Sequence, residues 1–457
     1  MTQDLKPYPA YKDSGVPWVG KVPEQWDVRR GKALFEESRL SVRDQDQIVT
    51  CFRDGQVTLR ANRRTSGFMV ALKEVGYQGV RHGQLVIHAM DAFAGAIGVS
   101  DSDGKCSPEY IVCNPRSSDS QPAYFATALR LAAHLNFIQV SCSAVRERAP
   151  RLRFPNFGEM LLPLPPCEEQ TAIVRFLSRV DRKTQRAIQA KQKLIKLLEE
   201  QKQVLIHRYV AGQIDVRTGN PYPAYKPSGV EWLGDVPEHW EVRRLKTMCA
   251  MKSGDGITAM SIEEKGDYPV FGGNGQRGFT SKFTHDGAYV LIGRQGALCG
   301  NIHTAKGRFW ASEHAVVASL YKGQVLDWFA ALLEVMNLNQ YSIAAAQPGL
   351  AVERVLNLWA PVPPAEVQEA IAGHLQESSK TITLGLDRIR REISLLREYR
   401  TRLVADVVTG KLDVREAAAN LPAEPKAELG ATEPDEDLDL PQAAEEEGSY
   451  DDAEGGA

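Results

Sequence analysis

Two stretches of this 457-residue chain carry nearly the same text. Residues 7–30, PYPAYKDSGVPWVGKVPEQWDVRR, return at 221–244 as PYPAYKPSGVEWLGDVPEHWEVRR, with 18 of 24 positions identical at an offset of 214. A second pair, PLPPCEEQTAI at 163–173 and PVPPAEVQEAI at 361–371, is offset by 198. The same offset relates GQIDVR (212–217) to GKLDVR (410–415). A unit this long and present twice excludes a solenoid of many short repeats. The chain is a duplicated unit in which a constant framework surrounds divergent inserts. The repeat is also circular in character. IDVR (214–217) runs directly into the second YPAYK segment, whereas LDVR (412–415) runs into the tail. Residues 7–30 supply the piece missing after the second copy, so the two ends of the repeat are expected to lie near each other.

Each Pro-Pro element opens a helical stretch. Pro165-Pro166 and Pro363-Pro364 suit a helix entrance and not an interior. Glu168, Glu169 and Glu366 place negative charge in the first turn, where the helix dipole favours it. Apolar residues then recur at spacings of three and four, from Ile173, Leu177 and Val180 to Leu205 in the first stretch. Ile371, Leu375 and Ile382 through Val407 do so in the second. Gly212 and Gly410 fall where a C-terminal glycine stop belongs. Each helix is about 45 residues, or ~65 Å if unbroken. Such an amphipathic stripe needs a partner strand, and the other copy is the natural one. The inserts, 31–162 and 245–360, are mixed and Gly-rich. GQLVI (83–87) echoes GAYVL (287–291), SPEYIVC (107–113) echoes SEHAVVA (312–318), and YFATALRL (124–131) echoes WFAALLEV (328–335). A shared scaffold of short strands and helices with rewritten loops is the expectation.

Charge divides unevenly. Residues 416–457 hold 14 acidic side chains and one lysine, which leaves 54 basic and 44 acidic residues in 1–415, a body of net +10. A mildly basic body with an acidic tail fits a nucleic-acid partner. The tail has too few large apolar residues to offset its ordering entropy and is expected to be disordered. The seven cysteines are scattered with no Cys-x-x-Cys pair, which argues for reduced packing thiols and against zinc or a disulfide framework. His285, His303 and His314 lack tight ligand spacing, so no metal is expected. No apolar run approaches a membrane span and the N-terminus lacks a signal-peptide core, so a cytoplasmic protein is expected. Phosphate-loop, nucleophile-elbow and HExxH motifs are absent. Asn114-Pro115-Arg116 is not the Asn-Pro-Pro-aromatic motif of amino methyltransferases. A non-catalytic chain is expected; the alternatives are a stand-alone DNA nuclease and a bivalent coiled-coil scaffold that binds proteins and no DNA.

Taken together, the doubled YxxYKxSGVxWxGxVPxxW segment, the doubled PPxxxQxAI helix, YPVFGGNGQRGF (268–279) and VLIGRQGALCG (290–300) resemble the specificity subunits of type I restriction–modification systems, over essentially all of 7–415. That resemblance implies an α+β fold with an internal pseudo-two-fold repeat, in which two similar α/β target-recognition domains are separated by a long antiparallel two-helix coiled coil. The expected boundaries are a constant segment at 1–30, recognition domain one at 31–162, constant helix one at 163–217, the repeated segment at 218–244, recognition domain two at 245–360, constant helix two at 361–415, and the acidic tail at 416–457. Each recognition domain would read half of a bipartite site in double-stranded DNA. The helices would recruit two methyltransferase subunits, and restriction/translocase subunits would join them. No cofactor is expected in this chain; S-adenosylmethionine, ATP and Mg²⁺ would belong to the partner subunits.

Within the inserts, DNA contacts are expected from Arg, Lys, Asn and Gln on glycine-rich loops, where backbone can approach phosphate and side chains can reach base edges. Domain two offers Lys252, Asn274, Gln276, Arg277, Arg294 and Gln295. Domain one offers Arg60, Asn62, Arg63 and Arg64, and a second basic stretch with Arg146 and Arg148, followed by Arg151 and Arg153. Trp18, Trp26, Trp232 and Trp240 lie in the constant segment and are expected to be structural anchors, because base readers should differ between the halves.

Overall fold

The computed structural model describes residues 5–63, 74–141, 151–295, 299–342 and 349–422. The chain divides into a first unit, residues 1–188 with 394–457, and a second unit, residues 189–393. Helices Cys167–Val210 and Ala365–Val408, 44 residues each, run through that division. Both begin directly after their Pro-Pro pair. Each ends on a left-handed glycine, Gly212 at φ +72° and Gly410 at φ +75°. Gln213 N–H bonds to Arg208 O, and Lys411 N–H to Asp406 O, which is the six-to-one closure of a Schellman motif in both copies.

The framework of the two units is the same down to individual bonds. In the first, hairpin Tyr11–Val16/Gly20–Pro23 is followed by strand Asp27–Arg30, which pairs with Leu161–Leu164. In the second, hairpin Tyr225–Pro227/Asp235–Pro237 is followed by Glu241–Arg244, which pairs with Trp359–Val362. Arg30 opposes Leu161 and Arg244 opposes Trp359, so each insert leaves and returns through a two-stranded neck of identical register. Trp26 and Trp240 are fully buried, and Trp18 and Trp232 partly so. A Cβ on Gly410 would strike Pro23 and Trp26, and one on Gly212 would strike Pro237 and Trp240. Glycine is thus required at the helix end by packing as well as by φ.

Closure of the first unit joins residues some 400 positions apart. Asp413 N–H donates to Lys6 O at 2.8 Å, and Tyr11 Oη–H to Lys411 O at 3.1 Å. Within continuous chain, the second unit makes the same two bonds: Asp215 N–H to Asn220 O at 2.8 Å, and Tyr225 Oη–H to Gln213 O at 3.1 Å. The start of the repeat therefore lies against its end. Arg415 and Arg217 fork onto Asp413 and Asp215. The Arg217 fork holds the Asp215 carboxyl below its usual range. Burial works against the same shift at Asp413, yet the Arg415 fork also leaves that carboxyl lowered.

The inserts share a four-stranded antiparallel sheet with one strand order. In the first unit it runs Phe35–Glu37, Tyr110–Pro115, Leu85–His88, Ile97–Val99; in the second, Cys249–Ser253, Ala315–Leu320, His285–Gly293, Ile302–Ala311. The second sheet is extended by hairpin Tyr268–Gly272/Gly275–Thr280, whose first strand joins Ile302–Ala311 in parallel. One sheet face packs against helix Pro122–His134 or its counterpart Leu326–Val335. The PPxxxQxAI glutamine links this helix to the framework. Gln170 accepts from Gln121 N–H and donates to Pro165 O; Gln368 accepts from Val325 N–H and donates to Pro363 O.

Two expectations need correction. The sequence echo set Ile87 against Leu291, but strand pairing places Ile87 opposite Ile111 and Ile292 opposite Val316. The true offset here is 205. A one-residue slip exchanges the two faces of a strand, and burial agrees: Leu85 and Ile87 lie in the helix-facing core, as do Val290 and Ile292, while Val86 and Leu291 face the other way. The second is the start of the acidic tail, expected to be disordered from 416. Residues Arg415–Ala419 form a short helix, Ala418 is buried, and Arg175 donates to Leu421 O and Pro422 O. The remainder of the tail lies outside the described residues.

One buried polar group sets the two frameworks apart. Glu169 Oε1 accepts from Tyr8 Oη–H and from Trp26 Nε1–H, the latter at 2.9 Å. Val367 occupies the matching place, and Tyr222 Oη and Trp240 Nε1 have no hydrogen-bond partner. Glu169→Val is expected to cost on the order of 3 kcal/mol, because two buried donors lose a charged acceptor. Denaturant unfolding checks this, and a loss below about 0.5 kcal/mol would show that the donors find other acceptors. Acid provides a second check. A depressed carboxyl stabilises fully above its unfolded pKa near ~3.9 and loses that contribution as pH falls through the folded value. The closure should therefore hold at about pH 5 and weaken below about pH 4, and Asp413→Asn should flatten that dependence.

Candidate nucleic-acid interface

In the second unit, the polar residues singled out in the sequence converge on one end of the sheet. Strand His285–Gly293 ends there in Arg294 and Gln295, next to the start of Ile302–Ala311 with Asn301 and His303, and next to Ser312–His314. Arg294 N–H donates to His314 O at 2.9 Å, and Gly293 N–H to Asn301 O at 2.8 Å. The 272–275 turn packs on this end: a Cβ on Gly273 would lie 3.2 Å from His314 O and 3.7 Å from Gly293 Cα. Asn301 Nδ2–H donates to Asn274 Oδ1 at 3.0 Å. Lys252 joins from the end of the edge strand, where Gly254 N–H bonds to Ala315 O. Lys252, Asn274, Gln276, Arg277 and Gln295 are exposed and Arg294 half-buried.

The far end of strand Ile302–Ala311 returns to this edge because the sheet curls. Ser312 N–H bonds to Phe271 O, and Asp255 N–H to Ala311 O. Inside the curl, burial lowers the pKa of His285 and of His303. His303 ring atoms lie 3.3 Å from where a Gly275 Cβ would stand. Among the described residues, no group of three His, Cys, Asp or Glu side chains is arranged to hold a metal ion.

The first unit builds the corresponding edge with different side chains. Ala89 N–H donates to Glu109 O, and Leu152 N–H to Ala89 O; the counterparts are Arg294 N–H to His314 O, and Leu350 N–H to Arg294 O. His88 N–H to Ala96 O matches Gly293 N–H to Asn301 O. Backbone bonding thus equates Arg294 with Ala89, Gln295 with Met90, Asn301 with Ala96, and His314 with Glu109. A hairpin turn covers both edges, with Gly55 and Gly275 each at φ +89°.

Of the residues proposed in domain one, Arg60 donates to Thr50 Oγ1 and Asn62 to Thr58 Oγ1. The structure does not present Arg63 to solvent. It is ion-paired to Asp54 at 2.6 Å, lies 4.1 Å over the Phe52 ring, and is only 10% exposed. Arg151 is paired with Glu109, and Arg153 precedes helix Phe154–Glu159. Arg64, Arg146 and Arg148 lie outside the described residues. Sequence reasoning missed Asn301 and set His303 and His314 aside. With the strand echo misaligned by one residue, the opposition of Asn301 to Ala96 was hidden.

The family profile of the type I restriction modification DNA specificity domain matches residues 78–197 and 237–394, more than half of the chain. The chain belongs to this family. It is 42% identical over 166 residues to the type I restriction enzyme EcoprrI specificity subunit of Escherichia coli, a match covering 35% of this chain and 41% of that protein. The putative type I restriction enzyme MjaX specificity subunit of Methanocaldococcus jannaschii is 22% identical over 87% of this chain and 96% of its own length. Among solved structures, a chain from a study of complex assembly and conformational transition in the type I R-M system superposes with a TM-score of 0.65 at 16% identity, covering 86% of this chain and 99% of that one. The HsdS subunit from Thermoanaerobacter tengcongensis gives 0.50 at 17% identity, over 86% and 98%. These likenesses establish the α+β fold of specificity subunits.

Local geometry separates structural from presented polar side chains. Arg63→Ala should lower stability by about 1–2 kcal/mol through loss of its ion pair and ring contact. Gln276→Ala and Arg277→Ala should stay within about 0.5 kcal/mol of the parent. Thermal unfolding of the three variants checks the contrast.

Proposed function

We propose that this chain is the non-catalytic DNA-specificity subunit of a type I restriction–modification complex. Each unit reads one half of a bipartite site in double-stranded DNA. The observation that carries this reading is the pair of equivalent sheet edges, held by the same backbone bonds yet bearing Arg294, Gln295, Asn301 and His314 in one unit and Ala89, Met90, Ala96 and Glu109 in the other. A common scaffold with different side chains at fixed positions suits two readers of different sequences.

The long helices act as the antiparallel spacer between the readers and as the platform for two methyltransferase subunits, with restriction/translocase subunits joining that core. Antiparallel pairing within each unit supports this: Asp181 with Arg400 in the first, Lys191 with Glu392 and Glu199 with Arg390 in the second. Exposed Leu194, Leu197, Leu384 and Leu395 leave apolar surface for a partner. S-adenosylmethionine, ATP and Mg²⁺ are assigned to the partner subunits. A cytoplasmic location follows from action on DNA, and among the described residues no helix is long and apolar enough to cross a membrane.

Site-specific methylation by the methyltransferase subunits is expected only when this chain is present; equal site-specific methylation in its absence would overturn the reading. Cleavage of DNA by the isolated chain with Mg²⁺ would instead indicate a nuclease. The spacer gives a second test. Deleting 188–194 together with 386–392, segments joined by the Lys191–Glu392 ion pair, removes one heptad from each helix and ~10 Å of length. Both half-sites should persist while the gap between them shrinks by about three base pairs. An unchanged gap with undiminished affinity would show that the helices do not set the spacing.

A further inference from the structure

On the second unit's edge, the side-chain amides of Asn274, in the 272–275 turn, and Asn301, just before strand Ile302–Ala311, fix each other. Asn301 Nδ2–H donates to Asn274 Oδ1 at 3.0 Å. Among the described residues, nothing else takes the Asn274 amino group or the Asn301 side-chain Oδ1, so the first can donate and the second accept. Whichever way the two amides are turned, a pair joined by one hydrogen bond keeps donor and acceptor capacity side by side. We propose that Asn274 and Asn301 form a single base-reading element of the second unit, in which Asn301 is the positioning residue for Asn274 and the target is the donor–acceptor edge of an adenine.

The chemistry is that of amide recognition in the major groove, where adenine presents N7 as acceptor and N6 as donor. A free asparagine must lose side-chain freedom on binding, and a partner that orients it beforehand removes part of that cost. The mounting is rigid on both sides. Asn301 is held through its backbone carbonyl by Gly293 N–H, and the Asn274 turn sits against Gly293, His314 and the His303 ring. Burial lowers the pKa of His303, which disfavours a charged ring behind the turn.

The first unit cannot build this element. Ala96 stands where Asn301 does, and Asp54, which precedes Gly55 as Asn274 precedes Gly275, is committed to Arg63. The element therefore belongs to one half-site alone. This inference rests on the DNA-reading function proposed above.

The test uses the full chain reconstituted with its methyltransferase subunits, and modified sites are identified by sequencing. Asn274→Ala, Asn301→Ala, the double variant and a control, Lys306→Ala on the same strand, are compared after thermal unfolding shows each is folded. Both single variants are expected to relax the same one base pair of one half-site, an A·T pair in the parent, with discrimination falling about 10- to 100-fold. The double variant should be no worse than either single, and Lys306→Ala should retain the parental site. Relaxation at no position, at two different positions, in Asn274→Ala alone, or at a G·C pair would overturn the inference while leaving the proposed function standing. A wild-type complex that directs no bipartite site would overturn both.

Discussion

The bond from Asp413 N–H to Lys6 O is the constraint on which the first unit depends. A linear chain that carries one framework twice can connect only one of the two copies covalently. In the second unit, the IDVR turn leads into the constant segment through residues 218–221, and Asp215 reaches Asn220 across a short loop. In the first unit, the same bond must close a loop of about 400 residues, at a larger entropic cost that grows slowly with length. The closing segment brings its own anchors to meet that cost. Trp26 is buried against Gly410, and Tyr124 donates to Val408 O. Arg415 lies 5.3 Å over the Tyr8 ring. Glu169, the buried acceptor absent from the second copy, adds a charged hydrogen bond where the covalent link is missing.

Much of this was legible in the sequence because framework contacts repeat. The Pro-Pro helix starts, the glycine stops, the buried tryptophans and the proximity of the ends all follow from residues that occur twice. The strand echo was harder. Gly83 and Gly287 invite an alignment by identity, but Gly83 sits in a turn bonded to Ser100 while Gly287 lies inside a nine-residue strand. A glycine match cannot fix register; the inward and outward alternation of Leu85 and Ile87 against Val290 and Ile292 does. Tail composition was read correctly as poor in core residues, yet Ala418 needs no bulk to fill the groove beside Arg175. Arg63 is turned inward for a related reason. A basic run signals positive charge in the sequence, whereas Asp54, nine residues earlier, neutralises it in space.

The interface edge shows why a framework can repeat while its function diverges. At Ala89 and Arg294 the backbone donates and accepts the same two bonds, so the hydrogen bonding of the scaffold makes no demand on the side chain. At Gly98 the opposite holds, since the carbonyl of Gly55 leaves no room for a Cβ. Its counterpart, His303, carries a ring that lies 3.3 Å from where a Gly275 Cβ would stand. Positions whose hydrogen bonds are wholly main-chain can change side chain without losing those bonds, and such positions line the edge: Ala89 and Ala96 are buried in the first unit, whereas Arg294 and Asn301 are half-buried in the second.

The two units also handle arginine differently, and the difference bears on what each edge can contact. In the first, Arg53, Arg63 and Arg81 are drawn inward by Asp91, Asp54 and Asp46, with the Arg81–Asp46 pair almost wholly buried. Breaking such a pair strands a buried charge, so these arginines are fixed parts of the scaffold. In the second unit, Arg277 is exposed, with its stem folded over Gly272, and Arg294 is half-buried at a strand end. An arginine already bonded to a carboxylate must give up those bonds to reach a base or phosphate; an exposed one gives up only water. Equal counts of basic residues in the two inserts would therefore produce unequal edges, because position relative to the nearest aspartate decides which cations remain available.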